Sequence, residues 1–271
     1  MKTYVTTLLS NKERYNYITH HLKILGLDYV EIEAIDKNNL ADDEIKRICN
    51  VDDFNKLESW LTKGNIACVL SKTKAYEAFL KTKMDVGFFI EDDVILPINI
   101  QDILNDLLNE ISINEVILLD FRTVNTSYKI GISTIHSKKL KDGLLSFPIQ
   151  LKGLTGGAAY LLTRNVAENL ISLNKNVLHT APDSWDYFYT KNAFEKIRVL
   201  YPSPVRFKPF KSAIGYTSEK NILNKIINYA EQKQVFPIYQ LMQKKRKLFH
   251  RSVQQSFFLI NEKSFIDQIK E

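Results

Sequence analysis

Val86-Gly87-Phe88-Phe89-Ile90-Glu91-Asp92-Asp93-Val94 is a continuous apolar run that stops on three consecutive carboxylates. The uncharged residues Val86 to Ile90 read as a short buried strand, and the acidic stop marks where that strand leaves the core. Working outward, short apolar runs alternate with longer helical patterns on both sides. Upstream, residues 64–81 read as a helix, 29–35 as a strand, 12–25 as a helix and 4–9 as a buried first strand. Downstream, Pro97 closes the segment, a helix is expected over 100–111, and 116–119 form a buried strand capped by Asp120. A loop-rich region then runs to about Gly153. Thr155, Gly156 and Gly157 precede a strand over 158–162, and two glycines leave room for a close approach to it. A helix over 165–173 follows. This alternation predicts an α/β fold, a mostly parallel sheet with helices on both faces. Ligands in such sheets bind at the carboxyl ends of the strands.

At 271 residues the chain is long enough for one large α/β domain with a full core. A hydrophobic share of 45% and a charged share of 25% speak against wholesale disorder. Cys49 and Cys68 form no CxxC pair and lie near no histidine at ligand spacing, so neither a disulfide framework nor a zinc site is expected, and a reducing cytosol fits. The five histidines, His20, His21, His136, His179 and His250, show no metal spacing either. The first ten residues lead straight into Asn11, Lys12, Glu13 and Arg14 with no long apolar region, which predicts no signal peptide. No stretch nears the roughly 18 apolar residues of a membrane span.

The formal charge of +6 is uneven. Asp and Glu crowd residues 28–58, where an acidic helical excursion is expected over 42–60, while Lys and Arg crowd the last quarter. Beyond about Lys220 the pattern turns helical and basic, with Lys244, Lys245, Arg246, Lys247 and Arg251 among Leu241, Met242, Leu248 and Phe249. Pro237 is expected to split this tail into two helices. The cluster reads as a solvated helix face, as an anchor on an anionic membrane surface, or as a nucleic-acid contact. Near anionic lipid each basic residue contributes roughly 1 kcal/mol, enough for reversible attachment when apolar side chains accompany it.

Three adjacent carboxylates repel one another by several tenths to a few kcal/mol unless positive charge sits among them. A divalent cation would compensate, and oxygen-only ligands favour Mg²⁺ or Mn²⁺ over zinc. On an extended chain Glu91 and Asp93 share a side, which makes them the metal and donor contacts and leaves Asp92 for ribose or a supporting role. The bland alternative is a solvated acidic turn. Asp120, at a strand's carboxyl end, could hold sugar hydroxyls or cap its own loop. Thr155, Gly156 and Gly157 could line a sugar site or form a strand-entry turn. Arg14 could reach uracil or phosphate, or lie on the surface of the first helix.

With these residues in place the chain resembles the family 25 glycosyltransferases, which include lipooligosaccharide galactosyltransferases of Gram-negative bacteria. Residues 4–9 with Glu13 and Arg14 are similar to that family's opening strand and Glu-Arg pair. Gly64, Cys68, Leu70 and Ser71 resemble its helix motif, and Glu91, Asp92, Asp93 and Val94 its acidic signature. Leu119 with Asp120, residues 155–160, Pro182 with Asp183, and Ser212, Ala213, Ile214 and Gly215 follow in the family's order. The resemblance covers residues 1–217. One departure stands out: the family's His after the Leu-Ser pair is Lys72 here, a point charge rather than an imidazole.

The resemblance implies a GT-A-like catalytic domain over 1–217, with 218–271 as a basic helical extension. It implies transfer of a hexose, commonly galactose from UDP-galactose, with inversion onto a lipooligosaccharide core. Leu8, Arg14, Ser71, Lys72, Asp92, Asp120, Thr155, Gly156 and Gly157 would then line the donor, with Mn²⁺ or Mg²⁺ on Glu91 and Asp93. A carboxylate must take the acceptor hydroxyl's proton. Asp183, which matches a family position, and Asp186, near it, are the candidates, with the ring of Trp185 able to stack on a sugar; the alternative is an ordinary helix start with Trp185 in the core. A glycolipid acceptor places the protein in the cytoplasm, peripheral on the inner membrane through its tail, with no nucleic-acid partner. The rivals are a metal-dependent phosphodiesterase or nucleotide hydrolase and, on charge alone, a nucleic-acid-binding protein.

Overall fold

The structure, a computed structural model, describes residues 1–49, 62–125, 128–175, 177–210, 229–230, 233–254 and 256–267. Fourteen strands are defined among them. They are β1 (Lys2–Thr7), β2 (Tyr29–Glu33), β3 (Val86–Glu91), β4 (Val94–Ile95), β5 (Glu115–Leu118), β6 (Arg122–Thr123) and β7 (Ile130–Ser133). Then come β8 (Lys138–Leu140), β9 (Gly143–Ser146), β10 (Leu154–Thr155), β11 (Ala159–Thr163), β12 (Lys196–Tyr201), β13 (Arg206–Phe207) and β14 (Phe257–Ile260).

Eight strands form one sheet in the order β2-β1-β3-β11-β5-β12-β9-β8. Strands β2, β1, β3, β5, β12 and β8 run one way, and β11 and β9 run the other. The sheet is therefore mostly parallel, and the carboxyl ends of β1, β2, β3 and β5 share an edge with the start of β11. Three two-stranded ribbons, β10-β6, β13-β4 and β14-β7, decorate it.

The deciding stretch sits at the centre. Gly87, Phe88, Phe89 and Ile90 are all buried because helices cover both faces of β3, which explains an apolar run with no alternation. Phe89 lies opposite Tyr4 on β1 and Tyr160 on β11. The three rings stack in a row, with centroids 5.1 and 5.5 Å apart, and cross-strand aromatic pairs of this kind fix register. On that face the Lys63–Leu80 and Arg164–Asn174 helices pack; on the other, Lys12–Ile24 and Ile100–Leu108 bury Ile18, Leu22, Ile103 and Leu107 against Phe88 and Ile90. Burial contributes about 1.5–3 kcal/mol per large apolar side chain.

Several expectations are revised. The region before Gly153 is not a plain loop: β6 to β9 lie within it, and β12 and β13 add strands further on. The acidic excursion is helical over Asp42–Ile48 with Cys49 as its C-cap, and residues 50–60 lie outside the described residues. In the tail, the Ile238–Gln254 helix starts just after Pro237, as expected, but the chain then returns as β14, pairing in parallel with β7. The Ser212–Gly215 element and the expected boundary near 217 lie outside the described residues. No described helix is long and apolar enough to cross a membrane.

Candidate active site

The end of β1, the loop after β2, the acidic end of β3 and the segment following β13 enclose a cleft of about 400 Å³. Its wall includes Gly64, Ala67, Cys68, Ser71 and Lys72. Those positions follow i, i+3, i+4, i+7 and i+8 on the Lys63–Leu80 helix, so one helix face supplies them. Four are small and recess the wall; the fifth brings an ammonium. Ser71 fastens the opposite rim, its hydroxyl accepting from Ile35 N at 2.8 Å and donating to Ala67 O at 2.6 Å. Leu8 also lines the cleft.

Arg14 stands in the first turn of the Lys12–Ile24 helix, where Asn11 caps by accepting from Arg14 N at 3.3 Å. It is not a surface residue: it is 7% exposed. Its guanidinium pairs with Asp92, donates from Nε to Asp92 Oδ1 at 2.7 Å, and reaches Asp93 Oδ2 at 2.9 Å. Thr7 donates to the other Asp92 oxygen at 2.9 Å. Asp92 is thus clamped. The expected split, Glu91 and Asp93 on one side and Asp92 on the other, presumed an extended chain. The chain turns at Asp92 and Asp93 instead, so those two share Arg14 while Glu91 faces Lys72.

Lys72 is buried, donates to Gly157 O at 2.8 Å and stands 3.5 Å from Glu91 Oε1 and 5.2 Å from the Tyr160 ring centre. Burial works against the ammonium, but Glu91 and weaker negative neighbours raise its pKa overall, so Lys72 is a fixed cation. Three carboxylates, Glu91, Asp92 and Asp93, thus crowd two directly paired cations, Arg14 and Lys72, while Arg122, itself paired with Asp120, acts on Glu91 and Asp93 from further off. Asp93 carries the consequence. Burial, with Glu91 and Asp92 beside it, pushes its carboxyl up to about 7 against the pull of Arg14. Its Oδ1 is a buried acceptor without a hydrogen-bond partner. The trio is not a solvated turn.

This donor set suits a hard cation. Asp93 and the one-third exposed Glu91 both line the cleft and offer carboxylate oxygens that could ligate one, although Asp93 Oδ1 itself is closed off from solvent. Among the described residues no group of three or more His, Cys, Asp or Glu could hold a metal unaided. Two carboxylates completed by substrate oxygens is the pattern Mg²⁺ and Mn²⁺ accept.

The other sequence candidates all have partners within the fold. Asp120 is buried, accepting from Arg122 Nε at 3.3 Å and Ala158 N at 3.2 Å, which locks the β5 end to the start of β11. Gly156 has φ +103°, and a Cβ there would stand 2.8 Å from Phe121 Cα, so what approaches is the chain's own backbone. A Cβ on Gly157 would meet Lys72 Nζ at 2.7 Å. Thr155 pairs with Arg122 in the β10-β6 ribbon. Trp185 is fully buried and donates from Nε1 to Gly156 O at 2.6 Å, so its ring belongs to the core and cannot stack on a sugar. Asp183 accepts from Gly156 N at 3.0 Å and lies next to Gly157, with its charge felt at Lys72. Asp186 accepts from Tyr187 N at 2.8 Å in its own helix, and neither it nor Asp183 is among the residues lining the cleft.

Sequence reading missed the cationic and aromatic rim: Arg122, Phe207, Lys208, Phe210 and Arg246, with Asp36 and Lys37 after β2. Arg122 lies 4.1 Å from the Phe207 ring centre, Lys208 4.9 Å from that of Tyr17, and Arg14 5.7 Å from that of Phe210. The alternation of ring and cation over 206–210 is a local signal that could have found part of it.

Fold and site together define an α/β protein whose sheet edge carries a carboxylate floor under a cationic rim. The family model for glycosyltransferase family 25 (LPS biosynthesis protein) matches residues 1–185, and the chain belongs to that family. The sheet and the position of its cleft fit the GT-A-like fold expected. Solved structures similar to this chain include A197 from STIV, 14% identical over 79% of this chain and 87% of that one with a TM-score of 0.42. Another is a Bacillus anthracis protein assigned as a glucose-1-phosphate thymidylyltransferase, in complex with a sucrose, 12% identical over 74% and 87% with a TM-score of 0.36. No curated protein matches the chain.

Proposed function

We propose that this glycosyltransferase of LPS biosynthesis transfers a hexose, galactose first among the candidates, from a UDP-sugar to a glycolipid core acceptor with inversion at the anomeric carbon. The observation that carries the reading is the charge pattern of the cleft: three crowded carboxylates at Glu91 to Asp93, an Asp93 oxygen without a hydrogen-bond partner, and cations on the rim. Glu91 and Asp93 would hold Mn²⁺ or Mg²⁺, which supplies positive charge to a departing diphosphate. Arg14 and Lys72 hold the carboxylates in place, and Arg122 and Lys208 favour an anionic ligand at the rim. Asp183 takes the acceptor hydroxyl's proton as that oxygen attacks the anomeric carbon and the bond to the diphosphate breaks. Its place beside Gly157 and Lys72 favours it over Asp186.

The test is a panel of UDP-sugars with Mn²⁺, reading UDP release with and without a glycolipid acceptor. Release from one donor, stimulated by acceptor, supports the proposal; acceptor-independent phosphodiester hydrolysis, or no release from any donor, overturns it. Asp183→Asn should leave donor affinity intact and slow transfer at least about a hundredfold. If donor binding is lost instead, Asp183 is not the base.

A further inference from the structure

The Ile238–Gln254 helix has two faces with different partners. Tyr239, Met242, Gln243 and Arg246, at i, i+3, i+4 and i+7, are half-buried and face the body of the protein. Arg246 reaches the cleft wall and donates from Nη1 to Pro209 O at 3.3 Å, on the segment that carries Phe207, Lys208 and Phe210. The opposite stripe, Leu241, Lys244, Lys245 and Leu248, has the same spacing and is exposed, with Leu241 at 63% and Leu248 at 56%. Lys247 is exposed beside it, Phe236 ahead of it is 78% exposed, and the helix contains no Asp or Glu.

A face that merely meets water does not need two leucines, two turns apart, flanking two lysines. Cationic heads with apolar side chains between them match an anionic lipid surface, where the charges meet phosphates and the leucines enter the boundary with the acyl chains. We infer that this helix couples docking on an anionic bilayer to the cleft: the outer stripe rests on the lipid, which holds Arg246 on the inner face against a diphosphate in the site. Arg246 is thereby an anion-positioning residue, and the C-terminal segment is part of the site. The inference deepens the membrane contact expected from the sequence and the diphosphate site proposed above, and rests on that reading. A ligand strengthens binding elsewhere only by its differential affinity for one state, here the docked helix, and the coupling is reciprocal.

Inorganic pyrophosphate with Mn²⁺ is the probe, so the outcome does not depend on which nucleotide or sugar the enzyme uses. Calorimetry on the full chain gives its affinity alone, with phosphatidylcholine vesicles, and with phosphatidylglycerol-phosphatidylcholine vesicles. Only the anionic vesicles should tighten binding, by about fivefold or more. Lys244→Glu with Lys245→Glu should abolish vesicle cosedimentation and the tightening, leaving vesicle-free affinity as in the wild type. Arg246→Ala should weaken pyrophosphate about tenfold, a charge-assisted contact, while still cosedimenting. Equal affinity with and without anionic vesicles, wild-type affinity in Arg246→Ala, absence of pyrophosphate binding, or retention by duplex DNA without vesicle binding would each overturn the inference. Pyrophosphate coupling in a chain that releases UDP from no donor would sink the transferase reading and leave this one standing.

Discussion

Asp93 holds a buried oxygen without a partner, beside two other carboxylates, and shares one guanidinium with Asp92. Its carboxyl, ordinarily near 3.8, is pushed up to about 7 in the folded protein. Because the folded value is raised, the neutral carboxyl favours the fold below the unfolded pKa, and that advantage is lost as pH rises through about 7. In a chelator, the wild type should therefore melt lower at about pH 8 than at about pH 5.5, with Asp93→Asn showing a smaller drop. Adding Mn²⁺ at the higher pH should restore the wild type and not the variant; equal melting of both at both pH values would contradict it. Lys72 makes the complementary case. Since it stays an ammonium, kcat/KM should not carry a titration from it near neutrality, whereas Lys72→His should introduce one around pH 6–7, with activity falling as the imidazole loses its charge. A pH profile of both enzymes decides. The acidic trio was visible in the sequence because charge next to an apolar strand is a local pattern, and Lys72 because it stands where the resembled family carries a His. That Arg14 answers Asp92 across 78 positions is a fact of tertiary packing, and no spacing along the chain reports it.

Elements were legible where burial alone decides. Strand β3, strand β5, the first residues of β11 and the Lys63–Leu80 helix fall within a residue or so of their expected limits, because continuous apolar runs and 3.6-residue spacing need no partner to be read. The two-residue strands β4, β6, β10 and β13 were not, since such short pairs exist only through the strand opposite. Strand β12 does alternate, with Ile197 and Val199 buried, but Lys196 and Arg198 between them mask it. The Thr155–Gly157 stretch shows both sides. Its glycines did announce a close approach; the approaching groups are the backbone of Asp120 to Arg122 and the Lys72 ammonium. Gly156→Ala should accordingly cost about 1–3 kcal/mol from the positive φ, and more from the 2.8 Å backbone clash. Urea denaturation measures it. A variant as stable as the wild type would mean that the loop can move away from the backbone of Asp120 to Arg122.

For the whole molecule, a helical, detachable tail was the natural reading of a basic C-terminus, since lysine-rich periodicity is strong and the short run Phe257 to Ile260 is not. The structure instead closes the chain on itself. Strand β14 pairs with β7, Phe257 packs on Phe121 with ring centres 4.7 Å apart, and Phe265 joins the same core as Tyr4 and Phe89. Phe121 neighbours Arg122 of the cleft rim, so the last strand supports the site from behind. A truncation meant to test membrane attachment, such as loss of residues 240–271, would therefore remove core side chains along with the cationic stripe, and a failure to sediment with vesicles would not isolate the stripe. Point substitutions separate the two. Phe257→Ala should destabilise the fold by about 3–5 kcal/mol, lowering Tm by roughly 10 °C or more for a chain of this size, while leaving vesicle sedimentation of the folded protein unchanged at low temperature. Lys244→Glu with Lys245→Glu should do the reverse, since both lysines are exposed and belong to no described ion pair. Thermal melts and cosedimentation on the two variants read both effects, and a Phe257→Ala protein melting like the wild type would show that the C-terminal strand is an accessory to the domain and not one of its walls.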